Sequence, residues 1–380
     1  MLGDGLPQRS AIDHRTSFRI ARVALALFVL VSVIVDSAPI LLDRRVAQLA
    51  GPYTWSAVDW EVRHLGDGVQ EIRDQLFNSP SDDRVLAEVR AYLTGEISLE
   101  NTGVAELRGL LAAAVAMQLR EDGAPVLGRL VAPPVTLSLT RALRLLVVSP
   151  RNEIRQASFA LLEGDFRMDR APELERAVDA HNVSALVVEQ IAIATYPTLI
   201  PLDTPPSAAL QTVAHEWTHI ALFFAPLGQA YGTSPQARNI NETTADVVGE
   251  EIGNALMRRA GIEPPRSSSG GRASPFAERM RAIRQRVDEF LAGGQVEEAE
   301  AYMEAQRLAL VTDGYRIRRL NQAYFAFFGN YAEGPAASTE VPDGVRAIRA
   351  QSETLAEFLA RIGRITSTAE LRAAVGASSP

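Results

Sequence analysis

Residues 213–221 read Val213-Ala214-His215-Glu216-Trp217-Thr218-His219-Ile220-Ala221. On a helix, positions i and i+4 share one face, so His215 and His219 can reach a single ion. Glu216 is rotated by about 100° from His215, because 3.6 residues make one turn. That puts its carboxylate beside an open coordination position, where it can take a proton from water. The other residues of the stretch are uncharged, so the helix can lie inside the protein. A buried His pair beside a buried Glu is costly unless something satisfies it, and zinc is the simplest candidate. The competing reading is an amphipathic helix with two His on a polar face; the uncharged flanks speak against it.

A catalytic zinc commonly takes three protein ligands. The later stretch Asn241-Glu242-Thr243-Thr244-Ala245-Asp246 offers the third. Glu242 follows His219 at a distance that allows a helix, a loop and a return on a second helix. Its rivals are Glu250, two turns along the same face, and Glu251. Asp246 is i+4 from Glu242 and can accept a hydrogen bond from the back nitrogen of a ligating His, fixing its tautomer; the alternative is a solvated face. The expected helices are Pro206–Leu227, entered through Pro205, and about Asn239–Arg259, ended by Gly261, Pro264 and Pro265. A loop with Gly228, Gly232, Ser234 and Pro235 joins them.

The pair H-E-x-x-H and N-E-x-x-A-D resembles the gluzincins, the thermolysin-like clan of zinc metallopeptidases. The resemblance covers roughly residues 207–260. It implies a zincin-like fold, Zn2+ held by His215, His219 and Glu242, Glu216 as general base, and Asp246 supporting a His. The clan's substrate-binding motifs and its aminopeptidase motif are not recognisable in the rest of the chain.

Working outward, the chain reads as an α+β protein, predominantly helical, with a small mixed sheet packed on the two metal-binding helices. Residues 1–45 form an N-terminal anchor or signal segment, 46–125 a helical region, 126–262 the α/β core with the metal site, and 263–380 a helical C-terminal region. Helical spacing marks Val85–Leu93 and Val104–Leu119. Val135–Thr140, Leu143–Val148, Ala157–Leu162 and Val183–Val188 read as strands, with a short helix at Pro172–His181. Residues 264–275 are a linker, Gly293–Gly294 a turn and Gly334–Gly344 a loop. Leu355–Ile365 and Ala369–Val375 close the chain as helices. A strand edge within 130–200 is a candidate to hold an extended peptide.

Hydrolysis at a metal also needs a donor for the developing oxyanion. Tyr324, with Asn321 one turn before it, is the chosen candidate, ahead of Tyr315, Tyr331 and His181; Tyr196 is placed at a strand end near the cleft. Core packing with satisfied amides is the competing role for Asn321 and Tyr324.

The 380 residues carry a net charge of −8 and all 38 cations are Arg, so generic nucleic-acid binding has no electrostatic support. Cysteine is absent, which excludes disulfides, thiolate nucleophiles and cysteine-ligated metals. Arg9, Arg15, Arg19 and Arg22 precede an apolar stretch, Val23–Leu42, interrupted by Asp36. It reaches the roughly 20 residues of a membrane span. A retained anchor with the catalytic part outside the cytoplasm is preferred over a cleaved signal peptide or a buried helix. The expected activity is that of a zinc metallohydrolase, foremost a peptidase acting on peptide or protein substrates. A zinc-binding membrane-anchored scaffold and a zinc hydrolase of non-peptide amides or esters are the alternatives.

Overall fold

The computed structural model describes residues 44–189, 192–265, 275–329 and 340–376. The Val23–Leu42 segment, Tyr331 and most of the 264–275 linker lie outside these. Among the described residues no helix is long and apolar enough to cross a membrane.

The described residues open with five α-helices: α1 (Arg44–Ala50), α2 (Ala57–Phe77), α3 (Asp82–Leu93), α4 (Leu99–Thr102) and α5 (Val104–Glu121). Ser56 starts α2 by accepting from the Asp59 N–H, and two aspartates occupy the first turn of α3. Leu110, Leu111, Ala114, Val115, Met117 and Leu119 of α5 are all buried. A helix apolar on nearly every side belongs in the centre, and α5 sits there.

Strands follow in three separate sheets. β1 (Val126–Leu127) and β2 (Leu130–Val131) form a minimal hairpin. β3 (Leu137–Thr140) pairs in parallel with the remote β7 (Thr198–Pro201), Leu137 opposite Thr198. β4 (Arg144–Pro150) is the middle strand of an antiparallel sheet, flanked by β5 (Ser158–Leu162) and β6 (Val183–Glu189), with α6 (Ala171–Asp179) between the last two. The single sheet expected on the metal-binding helices is therefore corrected. The three-stranded sheet is covered by α1 and α6 on one face and by a C-terminal helix on the other. Burial on both faces explains the unbroken apolar run of β4. Of the β3–β7 pair, β7 abuts the first of the two helices that carry the candidate site.

That helix, α7, spans Pro206–Leu222 and stops five residues before the expected end. Pro226 cannot supply the N–H that would continue it; the Ala225 N–H instead closes on the Leu222 carbonyl. Pro226 starts a short α8 (Pro226–Gln229). The second long helix, α9 (Pro235–Arg259), begins four residues earlier than expected, because Pro235 is its first residue. Ser234 caps it, accepting from the Ala237 N–H at 3.2 Å. Gly261, with φ +74°, ends it, and the Ile262 N–H returns to the Met257 carbonyl.

α10 (Pro275–Ala292), α11 (Val296–Thr312) and α12 (Gln322–Phe328) build a cluster around Met280, Met303 and Phe325. Ala323 and Phe327 of α12 cover the three-stranded sheet. α13 (Glu340–Ala350), α14 (Leu355–Ile362) and α15 (Thr368–Gly376) pack into the core of α5, α7 and α9. Gly344, expected in a loop, lies inside α13: a Cβ there would stand 2.9 Å from the Leu371 side chain, so this glycine permits a close helix contact rather than a turn.

A candidate metal centre between two helices

α7 and α9 make the most extensive helix pairing in the molecule. Glycine is the reason they approach so closely. A Cβ on Gly249 would fall 2.8 Å from the Gln211 carbonyl oxygen and 3.2 Å from His215 Cβ. Two buried hydroxyls are satisfied within their own helices, Thr218 on the Ala214 carbonyl and Thr244 on that of Ile240.

Across this seam three donor atoms converge. His215 Nε2 and His219 Nε2 are 3.1 Å apart, and Glu242 Oε2 is 3.6 Å from each. The far ring nitrogens are already committed. His219 Nδ1 donates to Asn241 Oδ1 at 2.6 Å, and His215 Nδ1 stands 3.0 Å from Asp246 Oδ1. Both Nε2 lone pairs are thereby turned toward each other and toward a carboxylate oxygen. Three electron-pair donors so placed repel unless positive charge lies among them. The site shows this demand directly. Burial disfavours a charged His215, yet the hydrogen bonds to Asp246 and Glu242 and the nearby Glu216 charge hold its pKa well above the ordinary histidine value. Burial alone would raise the Glu242 carboxyl; the two imidazoles and the Tyr231 hydroxyl hold it at about 2.

A metal cation meets the same demand with better geometry. For a tetrahedral ion with ligand bonds of about 2.0–2.1 Å, neighbouring donors stand roughly 3.3 Å apart. The observed 3.1–3.6 Å triangle brackets that spacing. His215, His219 and Glu242 thus form a group that can bind a metal ion.

Glu216 lies beside this group, 7 % exposed, and makes no hydrogen bond or ion pair among the described residues. Burial raises its pKa above the ordinary carboxylate value, partly offset by the two imidazoles. A buried carboxylate without a partner is expensive to maintain and is a mark of function.

The other expected site residues fall elsewhere. Asn321 caps α12, accepting from the Tyr324 N–H and donating to the Ala185 carbonyl. Tyr324 meets Phe325 edge-on and Phe328 at a tilt, packed against the three-stranded sheet. Neither contacts the metal group among the described residues, so both are corrected to the packing role. The Asn321 amide satisfies a helix cap and a carbonyl of the sheet. Tyr315 packs on Phe276, and Tyr196 is buried with its hydroxyl donating to the Pro134 carbonyl. Glu251 is held by Arg349.

Two residues at the centre escaped the sequence reading. Asn241 directly precedes the ligand Glu242, so its position in N-E-x-x-A-D was the available signal. Tyr231 lies in the connection between α8 and α9 and donates its hydroxyl to Glu242 Oε1. Its ring meets that of His219 edge-on at 5.9 Å. Its pKa is pushed well up by burial and by the Glu242 charge, which keeps the proton on the donor. An isolated Tyr in a Gly-rich connection was its only sequence mark.

The arrangement is a buried two-histidine, one-carboxylate group that can bind a metal ion, with a further carboxylate adjoining it. Comparison with known protein families, characterised proteins and solved structures found no match to the chain.

Proposed function

We propose that the protein is a zinc-dependent hydrolase of amide bonds, with peptides or proteins as its substrates. The observation that carries this reading is the unpartnered Glu216 carboxylate beside three converging ligand atoms. A purely structural zinc site closes all four positions with protein ligands and needs no base. Here three protein ligands are in place, which leaves one position for water or substrate. His215, His219 and Glu242 would hold the ion; the mixed imidazole and carboxylate set suits zinc. Zinc bound there supplies Lewis acidity toward a carbonyl and toward water.

The chain's own groups do the rest. Asn241 and Asp246 hold the imidazoles in the tautomer that presents Nε2. Tyr231 orients Glu242. Glu216, whose raised pKa brings it nearer to neutral, takes a proton from the attacking water and delivers it to the leaving amine. The gluzincin resemblance of the two motifs points the same way. A retained N-terminal anchor, placing the site outside the cytoplasm, belongs to the same proposal.

The test is metal content and turnover measured together. Wild type should hold about one zinc per chain. Glu216→Gln should keep that zinc and lose hydrolysis of a peptide library by at least about 100-fold. A fully active Glu216→Gln would remove Glu216 from its role. A wild type that takes up no metal after zinc supplementation would end the hydrolase reading.

A further inference from the structure

Among the described residues several partly exposed arginines meet acids, whereas the buried Arg238 does not. Arg108 meets Glu71 at 2.8 Å, Arg318 meets Glu175 at 2.6 Å, and Arg349 meets Glu251 at 2.6 Å. Arg238 is 7 % exposed and has no ion pair among the described residues. The one hydrogen bond of its side chain among the described residues is from Nε to the Tyr231 carbonyl, a long 3.3 Å. The guanidinium lies over the Tyr231 ring, 5.3 Å from its centroid. An uncompensated buried cation is costly, and an aromatic face offsets only about 2 kcal/mol of that cost. Both terminal guanidinium nitrogens are left for another acceptor.

The position says which acceptor. Arg238 is one helical turn before Glu242 on α9, so the two side chains leave the same face. The Tyr231 ring beneath the guanidinium is the ring whose hydroxyl holds Glu242 and whose edge meets His219. Arg238 also sits near the N-terminal end of a 25-residue helix, whose dipole adds positive potential there. Glu242 is already engaged by Tyr231 and the imidazoles and does not neutralise it. A planar guanidinium with free nitrogens is the group best shaped to bind a carboxylate through two parallel hydrogen bonds.

We infer that Arg238 is a specificity-determining residue that binds a carboxylate of the substrate one tyrosine ring away from the metal group. The inference deepens the hydrolase reading and rests on it for the word substrate; the anion subsite itself does not require the metal. The carboxylate is either the chain end of a peptide or an acidic side chain.

Binding is measured by calorimetry on the zinc-loaded Glu216→Gln protein, which cannot consume its probe. Three probes are used: acetyl-Ala-Phe-Leu as the free acid, the same peptide as its C-terminal amide, and acetyl-Ala-Glu-Leu amide. One carboxylate-bearing probe should bind roughly tenfold or more tightly than the uncharged amide. Preference for the free acid identifies the chain end; preference for the Glu-containing amide identifies a side chain. Arg238→Met should bring the ratio to about one while zinc content and circular dichroism stay unchanged, and Arg238→Lys should keep part of it. Equal binding of all three probes, including no binding of any, overturns the inference, as does a preference that survives Arg238→Met. The same comparison on chelator-treated protein separates the two readings. A carboxylate preference without zinc upholds the subsite even if the metal site fails, and zinc uptake without any preference leaves the hydrolase reading standing alone.

Discussion

Asn241 and Asp246 show how much of a candidate metal site is decided by single atoms behind the converging side chains. Each imidazole presents Nε2 because its Nδ1 is held, at 2.6 Å by Asn241 and at 3.0 Å by Asp246. Asn241→Ala or Asp246→Ala should therefore weaken zinc binding by roughly 10–100-fold without removing a ligand, measured by competition with a chromophoric chelator. Unchanged affinity in both would mean that helix packing alone orients the rings. At this scale the ligand set was legible. His215, Glu216 and His219 fall within five residues, where helical periodicity dictates which side chains share a face. Tyr231 and Arg238 were not legible, because their roles depend on a loop returning its aromatic ring over one particular turn of α9. Tyr324 and Asn321 failed for the converse reason. The Asn321 amide is spent on a cap and a carbonyl, the Tyr324 ring packs on phenylalanines, and local sequence carries no information on where a helix docks.

The α7–α9 pair is the element on which the site depends, and its closeness rests on glycine. Gly249→Ala would place a methyl 2.8 Å from the Gln211 carbonyl, a backbone atom that cannot swing aside. Overpacking costs about 1–3 kcal/mol, and the gain in helix propensity from Gly to Ala returns at most about 1 kcal/mol. A net loss of about 1–2 kcal/mol in urea unfolding is expected, with weaker zinc binding because His215 Cβ is the next atom in the way. Gly253→Ala should cost less although its contact is nearer, 2.3 Å to Gln211 Cγ, because that obstacle is a rotatable side chain. If Gly253→Ala proved the more damaging of the two, the backbone-contact argument would fail. The helices themselves were readable from their apolar spacing and their proline and glycine boundaries. Their ends shifted by four or five residues, since Pro235 opens a helix while Pro226 closes one, and the same residue type signals both.

Across the whole molecule, a buried carboxyl ties the N-terminal helices to the core. Glu71 of α2 accepts from the Leu137 N–H of β3 at 2.9 Å and pairs with Arg108 of α5. Burial pushes its carboxyl from 4.5 up to about 8, against the pull of Leu137 and Arg108. The folded protein therefore keeps a proton that the unfolded chain has released. The stability this gives is complete below about pH 4.5 and is lost as pH rises through about 8. Urea midpoints at pH 5, 7 and 9 should fall in that order, and Glu71→Gln should flatten the fall. An unchanged slope in the variant would assign the pH dependence to other groups. Zinc should act on the same scale. A ligand at about 1,000 times its dissociation constant stabilises the folded state by roughly 4 kcal/mol, read as a rise in melting temperature that chelation reverses.

By itself the sequence determined that this chain carries a two-histidine, one-glutamate constellation on two helices, inside a mostly helical α+β protein. Those features follow from periodicity, and periodicity is local. Only the tertiary structure decided that the β4–β6 sheet serves α6 and α12 instead of the metal helices, that β3 finds β7 some sixty residues away, and that Tyr231, Asn241 and Arg238 surround the ligands. Each of these is a meeting between residues far apart in the chain or across a loop. Such meetings are chosen by which apolar faces bury together and which buried polar atoms find partners, a competition settled over the whole molecule at once.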